Sequence, residues 1–316
     1  MIGTGRNTAI TVREVGLRDG LQIEPGFLAT DTKIAVFERL VDAGLRHLQI
    51  TSFVSPKAVP QLADAEEVVR RMKRVPGMHV CALVPNAKGA ERAAQTEVDA
   101  IEMVVSASET HNAKNLNRSI DRSLDEARDI ARIALDAGKA FELGMATVFG
   151  CPFEGEVDPQ VVGRIAGRLA DLGASHIGLG DTTGMAVPPT VRRALAAVRE
   201  AAPGVRVGLH FHNTRGVGLA CVMVGLEEGI TYYDASIGGL GGCPFAPGAT
   251  GNISTEDLVY LLDESGYATG IDLERLIEAA QAMRDALGHD LPGQVMKAGP
   301  RLRRYDAGAV RTATGR

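Results

Sequence analysis

The stretch SHIGLGDTTGMAVPPTVRRALAAVREAAPGVRVGLHFH, residues 175–212, contains the pattern that decides the fold. It begins with a short apolar run at 175–181, continues with a helical pattern at 189–201 and ends with a second apolar run at 206–212. Two short apolar runs separated by one helix are typical of parallel strands joined by a helical crossover. The segment therefore predicts one strand–helix–strand unit.

The same alternation extends along the rest of the chain. Further helical patterns occur at 32–43 and 272–287, and Gly-containing turns such as AGLRH, LGASH and EEGIT follow many of the helices, where glycine adopts the left-handed cap conformation easily. The other six strand candidates are 8–16, 46–53, 79–85, 100–106, 140–148 and 232–238. Eight strand–helix alternations without a central switch point favour closure into an α/β fold of the (β/α)8 TIM-barrel type. A doubly wound open sheet is the alternative.

The length of 316 residues suits one barrel of about 250 residues with an addition. We expect a single catalytic domain over 1–316, with the barrel at about 8–266 and a short C-terminal helical extension and tail at 267–316. A hydrophobic content of 45% and a charged content of 23% are those of an ordinary globular protein.

Composition excludes several classes of function. The net charge is −5, the aromatic content is 4% and there is neither a tryptophan nor a polybasic block, which argues against a nucleic-acid partner. No run of about 18 apolar residues and no apolar leader is present, so we expect no membrane span. Four separated cysteines are typical of reduced thiols, and the expected location is cytoplasmic.

Polar side chains follow two of the predicted strands. Arg18 and Asp19 follow the first strand, and His210 and His212 end the seventh. Alternation along a strand places both imidazoles on one face, and the C-terminal ends of barrel strands are where catalytic groups gather. Taken alone, Arg18 and Asp19 are also compatible with an ion pair at the surface, and His210 and His212 with a coincidental pair that has no shared function.

A glycine-rich segment at 238–252 follows the eighth strand and contains Cys243 and Asn252. Such a segment permits close backbone approach to a ligand. Asn252 adds an amide oxygen to Asp19, His210 and His212, and this oxygen–nitrogen set suits Mg²⁺ or Mn²⁺ better than Zn²⁺. Cys243 taken alone is compatible with an inert turn residue.

Several motifs resemble those of the 3-hydroxy-3-methylglutaryl-CoA lyase family, which cleaves a carbon–carbon bond of an acyl-CoA with a divalent metal. The resemblance implies cleavage of 3-hydroxy-3-methylglutaryl-CoA to acetyl-CoA and acetoacetate, and a possible homodimer. The motifs are RDGLQ at 18–22, TSFVSPKAVPQLADAEEV at 51–68, GCPFEG at 150–155, LGDTTG at 179–184, HFHNTRG at 210–216 and GGLGGCPFAPGATGNISTEDLVY at 238–260.

The resemblance also implies residue roles. It assigns Arg18 to stabilisation of the enolate of the departing acetyl-CoA and Cys243 to proton transfer. Either His210 or a water on the metal is the first base. The implied catalytic residues are Arg18, Asp19, His210 and Cys243, the metal ligands are Asp19, His210, His212 and Asn252, and the substrate-binding residues are Gln22, Gln49, Ser52 and Thr182. Coenzyme A is expected near Lys57 and the loop at 111–115.

Some positions depart from the family pattern. Gln49 stands where a glutamate is usual, and Gly144 stands where a tyrosine is usual. Asn213 replaces a common aspartate, and Arg215 replaces a frequent aromatic residue. These departures are compatible with a different acyl-CoA substrate. One alternative is citramalyl-CoA, which gives pyruvate and acetyl-CoA, and another is an analogue with a longer chain at C3. The sequence is also compatible with a condensing synthase of the isopropylmalate, homocitrate or citramalate type and with a non-catalytic binding barrel.

Overall fold

The computed structural model describes residues 8–242 and 251–304. Its eight strands are all parallel and form a closed barrel in chain order, because the first strand pairs with both the second and the eighth. The predicted (β/α)8 barrel is therefore confirmed. The strands are Thr11–Glu14 (β1), His47–Ser52 (β2), His79–Val84 (β3), Ala100–Ser106 (β4), Ala140–Ala146 (β5), His176–Asp181 (β6), Arg206–Phe211 (β7) and Tyr232–Ala235 (β8).

Helices surround the barrel in the described part of the chain. They are Thr30–Asp42 (α1), Ala65–Arg71 (α2), Ala87–Ala94 (α3), Glu109–Leu116 (α4), Ile120–Asp136 (α5), Pro159–Asp171 (α6), Pro188–Ala201 (α7), Gly218–Glu227 (α8), Thr255–Glu264 (α9), Leu273–Leu287 (α10) and Val295–Ala298 (α11). The three helical patterns quoted from the sequence match α1, α7 and α10 to within two residues. Within the described residues, no helix is both long enough and apolar enough to cross a bilayer.

The first strand is shorter than the predicted 8–16, because the chain leaves the barrel wall after Glu14. Residues Gly16–Gly20 form one turn of π-helix, in which Gly20 N donates to Val15 O over 3.4 Å. Single π-turns are frequent at functional sites. A Cβ atom at Gly20 would lie 2.8 Å from Cβ of Leu240, so only glycine fits where this turn meets the segment after β8.

The hydrophobic core lies between the sheet and the helices. Phe141 and Leu143 of β5 and Ile177 and Leu179 of β6 are buried in it, at alternate positions that face away from the barrel axis. The positions between them are polar or glycine. The barrel interior, which branched apolar side chains usually fill, here holds the buried charged residues Arg13, Glu102, Glu142 and Asp234.

The residues after the barrel pack against its outer layer. Ser254 caps α9 by accepting a hydrogen bond of 3.2 Å from Asp257 N. The carboxylate of Asp257 accepts from the backbone N–H groups of Gln294 and Val295, at 3.1 Å and 2.7 Å, which holds the start of α11 against α9. The helix α10 packs against α1. The helices α10 and α11 therefore pack against α1 and α9.

Candidate active site and metal centre

A cavity of about 340 Å³ opens at the C-terminal ends of the strands. This is the end at which barrel enzymes hold their substrates. Among the residues predicted to act in catalysis, metal binding or substrate binding, those that line it are Arg18, Asp19, Gln22, Ser52, Thr182, His210 and His212. Gln49 is fully buried and does not line the cavity, and Cys243 lies outside the described residues.

The π-turn after β1 places Arg18 and Asp19 side by side at the cavity. Nη1 of Arg18 donates to Oδ1 of Asp19 over 2.5 Å. Burial by itself would raise the pKa of Asp19, but Arg18 and the two nearby imidazoles lower it to about 2. Asp19 is therefore an anion at neutral pH, as a metal ligand has to be.

His210 near the end of β7 and His212 just after it lie side by side, with ring centroids 5.3 Å apart. Nδ1 of His210 lies 3.1 Å from Oδ2 of Asp234, so Nε2 is the ring atom available to the cavity. Burial alone would lower the pKa of His210, whereas the hydrogen bond to Asp234 raises it. Burial, together with the charge of His210, lowers the pKa of His212 to about 4, which keeps that ring neutral.

Asn252 reaches the same point from the segment after β8. It forms an isolated antiparallel bridge with His212, and its Nδ2 donates to Oδ2 of Asp19 over 2.8 Å and to the carbonyl of Leu240 over 2.9 Å. Its Oδ1 atom is buried and has no hydrogen-bond partner among the described residues. A buried carbonyl oxygen without a partner is costly unless a cation or a donor accompanies it.

These residues fit a divalent metal ion. Ligand atoms of Asp19, His210 and His212 all lie within 4.8 Å of one another, and Nε2 of His212 is 4.0 Å from Oδ2 of Asp19. One carboxylate, two imidazoles and the unpartnered amide oxygen of Asn252 form a donor set that Mg²⁺ or Mn²⁺ accepts. Three of the four ligands predicted from the sequence thus form a spatial cluster, and Asn252 is hydrogen-bonded to one of them.

Arg18 faces this cluster with part of its guanidinium unused. Its Nε donates to Oε1 of Gln49 and its Nη1 to Asp19. Among the described residues Nη2 has no partner, and the side chain lines the cavity. A guanidinium nitrogen in this position can donate to an oxyanion that develops in the cavity.

The floor of the cavity contains charged residues that sequence reasoning missed. Arg13, Glu102 and Asp234 line it from β1, β4 and β8. Arg13 makes two hydrogen bonds of 2.8 Å to the oxygens of Asp234 and one of 2.5 Å to Glu102. The sequence did contain a signal for these residues, because each of the three strands has a charged residue within an otherwise apolar run. A charged residue that is buried in this way requires a partner.

One wall of the cavity is formed by glycines. Gly144, Gly178 and Gly180 line it from β5 and β6, and Gly144 pairs with Gly178 across the two strands. A Cβ atom at Gly178 would lie 3.7 Å from its nearest neighbour, Cε1 of His176, which is an ordinary contact. The missing side chain therefore leaves space at Gly178 only, since a Cβ atom at Gly144 would lie 3.0 Å from the Glu102 carboxylate and one at Gly180 would lie 2.9 Å from the carbonyl of Met145.

Only part of the segments expected to bind coenzyme A lines the cavity. His111 and Asn115 line it, as do Ala58 and Val59, but Lys57 does not. Arg215 points away and donates to the carbonyls of Thr183 and Gly184, so this departure from the family pattern braces the loop after β6.

The chain is similar in sequence to lyases that act on acyl-CoA compounds. The family model described as HMGL-like matches residues 9–283. A hydroxymethylglutaryl-CoA lyase of Bacillus subtilis (strain 168) is 42% identical, over 90% of this chain and 95% of that protein. An (R)-citramalyl-CoA lyase of Chloroflexus aurantiacus is 41% identical, over 92% of this chain and 95% of its own.

Solved structures agree with the sequence relatives. The structure of a Bacillus subtilis HMG-CoA lyase covers 92% of this chain and 97% of its own, with a TM-score of 0.89 and 42% identity. An HMG-CoA lyase from Acinetobacter baumannii, in complex with coenzyme A and 3-methylmalate, covers 94% and 97%, with a TM-score of 0.90 and 43% identity. The chain therefore belongs to the HMGL-like family of divalent-metal-dependent carbon–carbon lyases.

Proposed function

We propose that this protein cleaves 3-hydroxy-3-methylglutaryl-CoA to acetyl-CoA and acetoacetate with bound Mg²⁺ or Mn²⁺. The observation that carries the proposal is the cluster of Asp19, His210 and His212, with ligand atoms within 4.8 Å of one another beside Arg18. The HMG-CoA lyases among the relatives support the choice of substrate.

The residues of the site divide the reaction between them. Asp19, His210, His212 and Asn252 would hold the ion, which when bound polarises the C3 hydroxyl and lowers its pKa. The hydroxyl proton leaves, the C2–C3 bond breaks, and its electron pair passes to the thioester as an enolate. Nη2 of Arg18 donates to that enolate oxygen, where negative charge develops only as the bond breaks.

The remaining steps use residues around this centre. Nε2 of His210 is the atom that would hold the ion, because Nδ1 is engaged by Asp234, so we assign removal of the hydroxyl proton to a water at the site rather than to this ring. We assign protonation of the enolate carbon to Cys243 on the strength of the sequence resemblance. Gln22, Ser52 and Thr182 line the cavity and would hydrogen-bond to the acyl group.

A second candidate substrate is citramalyl-CoA, which the same chemistry cleaves to pyruvate and acetyl-CoA. The (R)-citramalyl-CoA lyase relative, at 41% identity, favours it. The space in the cavity wall at Gly178 favours a third class, analogues with a longer C3 chain. The homodimer and the cytoplasmic location stay predictions.

The decisive experiment is a product assay. Purified protein is treated with EDTA, dialysed and supplied with Mg²⁺, Mn²⁺ or Zn²⁺, and the two acyl-CoA substrates are offered separately. We expect metal-dependent acetoacetate from 3-hydroxy-3-methylglutaryl-CoA. Pyruvate from citramalyl-CoA, with little acetoacetate from the first substrate, would establish the second candidate instead.

A matched pair of variants links the product to the site. His212→Gln removes a proposed ligand, whereas His289→Gln changes a histidine that is 45% exposed, pairs with Glu24 and does not line the cavity. We expect the first variant to lose metal-dependent turnover and the second to keep it. Equal turnover in the presence of EDTA would refute the proposal.

A further inference from the structure

A continuous chain of buried hydrogen bonds joins Arg18 to the proposed ligand His210 beneath the cavity. Oε1 of Gln49 accepts from Nε of Arg18, and Nε2 of Gln49 donates to Oε2 of Glu102 over 2.8 Å. Gln49 and Glu102 are both buried. A neutral amide on β2 is therefore inserted between the guanidinium of Arg18 and a carboxylate on β4.

The chain continues through Arg13 to the other side of the site. Nη1 of Arg13 donates to Oε2 of Glu102 over 2.5 Å, and Nε and Nη2 donate to Asp234 over 2.8 Å each. Asp234 in turn contacts His210. Glu102 also belongs to a group with Cys81 and Glu142 that has metal-ligand spacing, but Arg13 already supplies its cation.

The carboxylate at 102 fixes the direction of the Gln49 amide. A carboxylate accepts hydrogen bonds and donates none, so Nε2 of Gln49 has to face Glu102 and Oε1 has to face Arg18. Without the negative charge the amide could rotate by half a turn and present two N–H donors to a guanidinium that is itself donor-only. The orientation of Arg18 therefore depends on Glu102, which does not touch it.

Gly144 accommodates this carboxylate. A Cβ atom built on Gly144 would lie 3.0 Å from Oε1 of Glu102 and 3.3 Å from Cγ2 of Val104. Any side chain at 144 would press on the carboxylate from the neighbouring strand β5. The Glu102 carboxylate thus accounts for both residues. It accepts the hydrogen bond of the Gln49 amide, and it occupies the space that a side chain at position 144 would need.

We propose that Glu102 is a positioning residue for Arg18, acting through Gln49. In this chain the carboxylate that orients the catalytic guanidinium lies on β4 and acts through the amide of Gln49. The site tolerates one carboxylate, at position 49 or at position 102, but not one at both. This inference rests on the proposed function for its kinetic test only.

The test is a relocation of the charge. Gln49→Glu places two carboxylates at the 2.8 Å contact, and Glu102→Gln leaves two amides there. Each single variant should lower kcat by about 10- to 100-fold, because a misplaced catalytic group costs factors of this size. The double variant Q49E/E102Q restores one carboxylate and one amide, and should return kcat to within about threefold of the wild type, a strongly non-additive result.

Other kinetic and physical quantities separate positioning from general damage. Arg18 acts on charge that develops in the transition state, so KM for the acyl-CoA and Mn²⁺ affinity measured by calorimetry should stay near the wild-type values in all three variants. The exposed pair Gln160→Glu and Glu264→Gln controls for the same chemical changes far from the site.

A measurement without substrate distinguishes failure of this inference from failure of the proposed function. The Nε–H signal of Arg18, in protein labelled with ¹⁵N-arginine and assigned by its loss in Arg18→Lys, reports the hydrogen bond to Gln49. We expect one sharp, exchange-protected signal in the wild type and in the double variant, and a broadened or fast-exchanging signal in each single variant. This pattern would support the relay even if neither acyl-CoA were cleaved.

Three outcomes would overturn the inference. The first is a double variant whose kcat equals the product of the two single effects. The second is an unimpaired Gln49→Glu. The third is a lower Tm in Glu102→Gln with kcat and the Arg18 signal unchanged, which would assign Glu102 to stability alone.

Discussion

Nδ1 of His210 lies 3.1 Å from Oδ2 of Asp234, and the same carboxylate accepts two hydrogen bonds of 2.8 Å from Arg13. This contact fixes the imidazole so that Nε2 points towards Asp19 and His212. Histidine ligands depend on such a partner, because it sets both the tautomer and the ring orientation. The burial of Asp234 would raise its pKa, but Arg13 and His210 together hold that pKa well below its ordinary value.

Asp234→Asn should therefore weaken metal binding. Loss of a partner behind a metal-binding histidine lowers affinity by roughly 10- to 100-fold. The measurement is calorimetric titration of the EDTA-treated variant with Mn²⁺ near neutral pH. Asp136→Asn, at an exposed position on α5, is the control and should bind as the wild type does. Unchanged affinity in Asp234→Asn would show that His210 is not a ligand or needs no orienting group.

Arg18→Gln should strongly reduce turnover while metal binding persists. The guanidinium is proposed to meet the enolate oxygen, and removal of one such donor costs about 100- to 1,000-fold in kcat. Steady-state kinetics and Mn²⁺ calorimetry together provide the check, with the exposed Arg70→Gln as the matched control. Full activity in Arg18→Gln would remove Arg18 from the mechanism.

Gly178→Val should narrow the acyl cavity. A Cβ atom there has its nearest contact at 3.7 Å, so the first atom of the new side chain fits without displacing a neighbour. The kcat/KM ratio of a C3-butyl analogue to 3-hydroxy-3-methylglutaryl-CoA should fall by about tenfold or more. Gly26→Ala, at an exposed position with no neighbour within 4 Å of the added atom, is the control. A constant ratio would place the C3 substituent elsewhere.

Two buried carboxyl groups behind the site predict a pH dependence of stability. Burial raises the pKa of Glu14 to about 7 and that of Glu256 to about 8, against an ordinary value of 4.5. The folded protein thus binds more protons than the unfolded chain between about pH 4.5 and pH 8, and its free energy of unfolding falls as pH rises through that window. Each pKa unit corresponds to about 1.4 kcal/mol.

Glu256→Gln should make this fall smaller, because the amide cannot ionise. Urea denaturation at several pH values across the window measures the free energy of unfolding, and the exposed Glu264→Gln should follow the wild-type curve. The hydrogen bonds from Ser254 and from Gly238 N are partly kept by the amide oxygen. A variant with the same pH slope as the wild type would show that Glu256 stays ionised in the folded protein.

The local pattern of the sequence was sufficient to predict the barrel and part of the site. The alternation of strands and helices predicted eight strands, and their observed ends differ from the predicted ones mainly at β1, β5 and β8. The spacing of His210 and His212 placed two imidazoles on one face, because side-chain direction in a strand depends only on residue parity. Arg18 and Asp19 were recognisable because they directly follow a strand.

Only the tertiary structure decided what surrounds these residues. Arg18 and Gln49 are 31 positions apart, Gln49 and Glu102 are 53 apart, and Arg13 and Asp234 are 221 apart. Their contacts arise because β1 pairs with β8 and closes the barrel, which brings the inward-facing positions of distant strands to one axis. The alternation of residues along a strand gives the direction of each side chain. The register of the strands and the closure of the barrel set the distances between residues on different strands. Those distances determine that Gln49 lies beneath Arg18 rather than in the cavity wall.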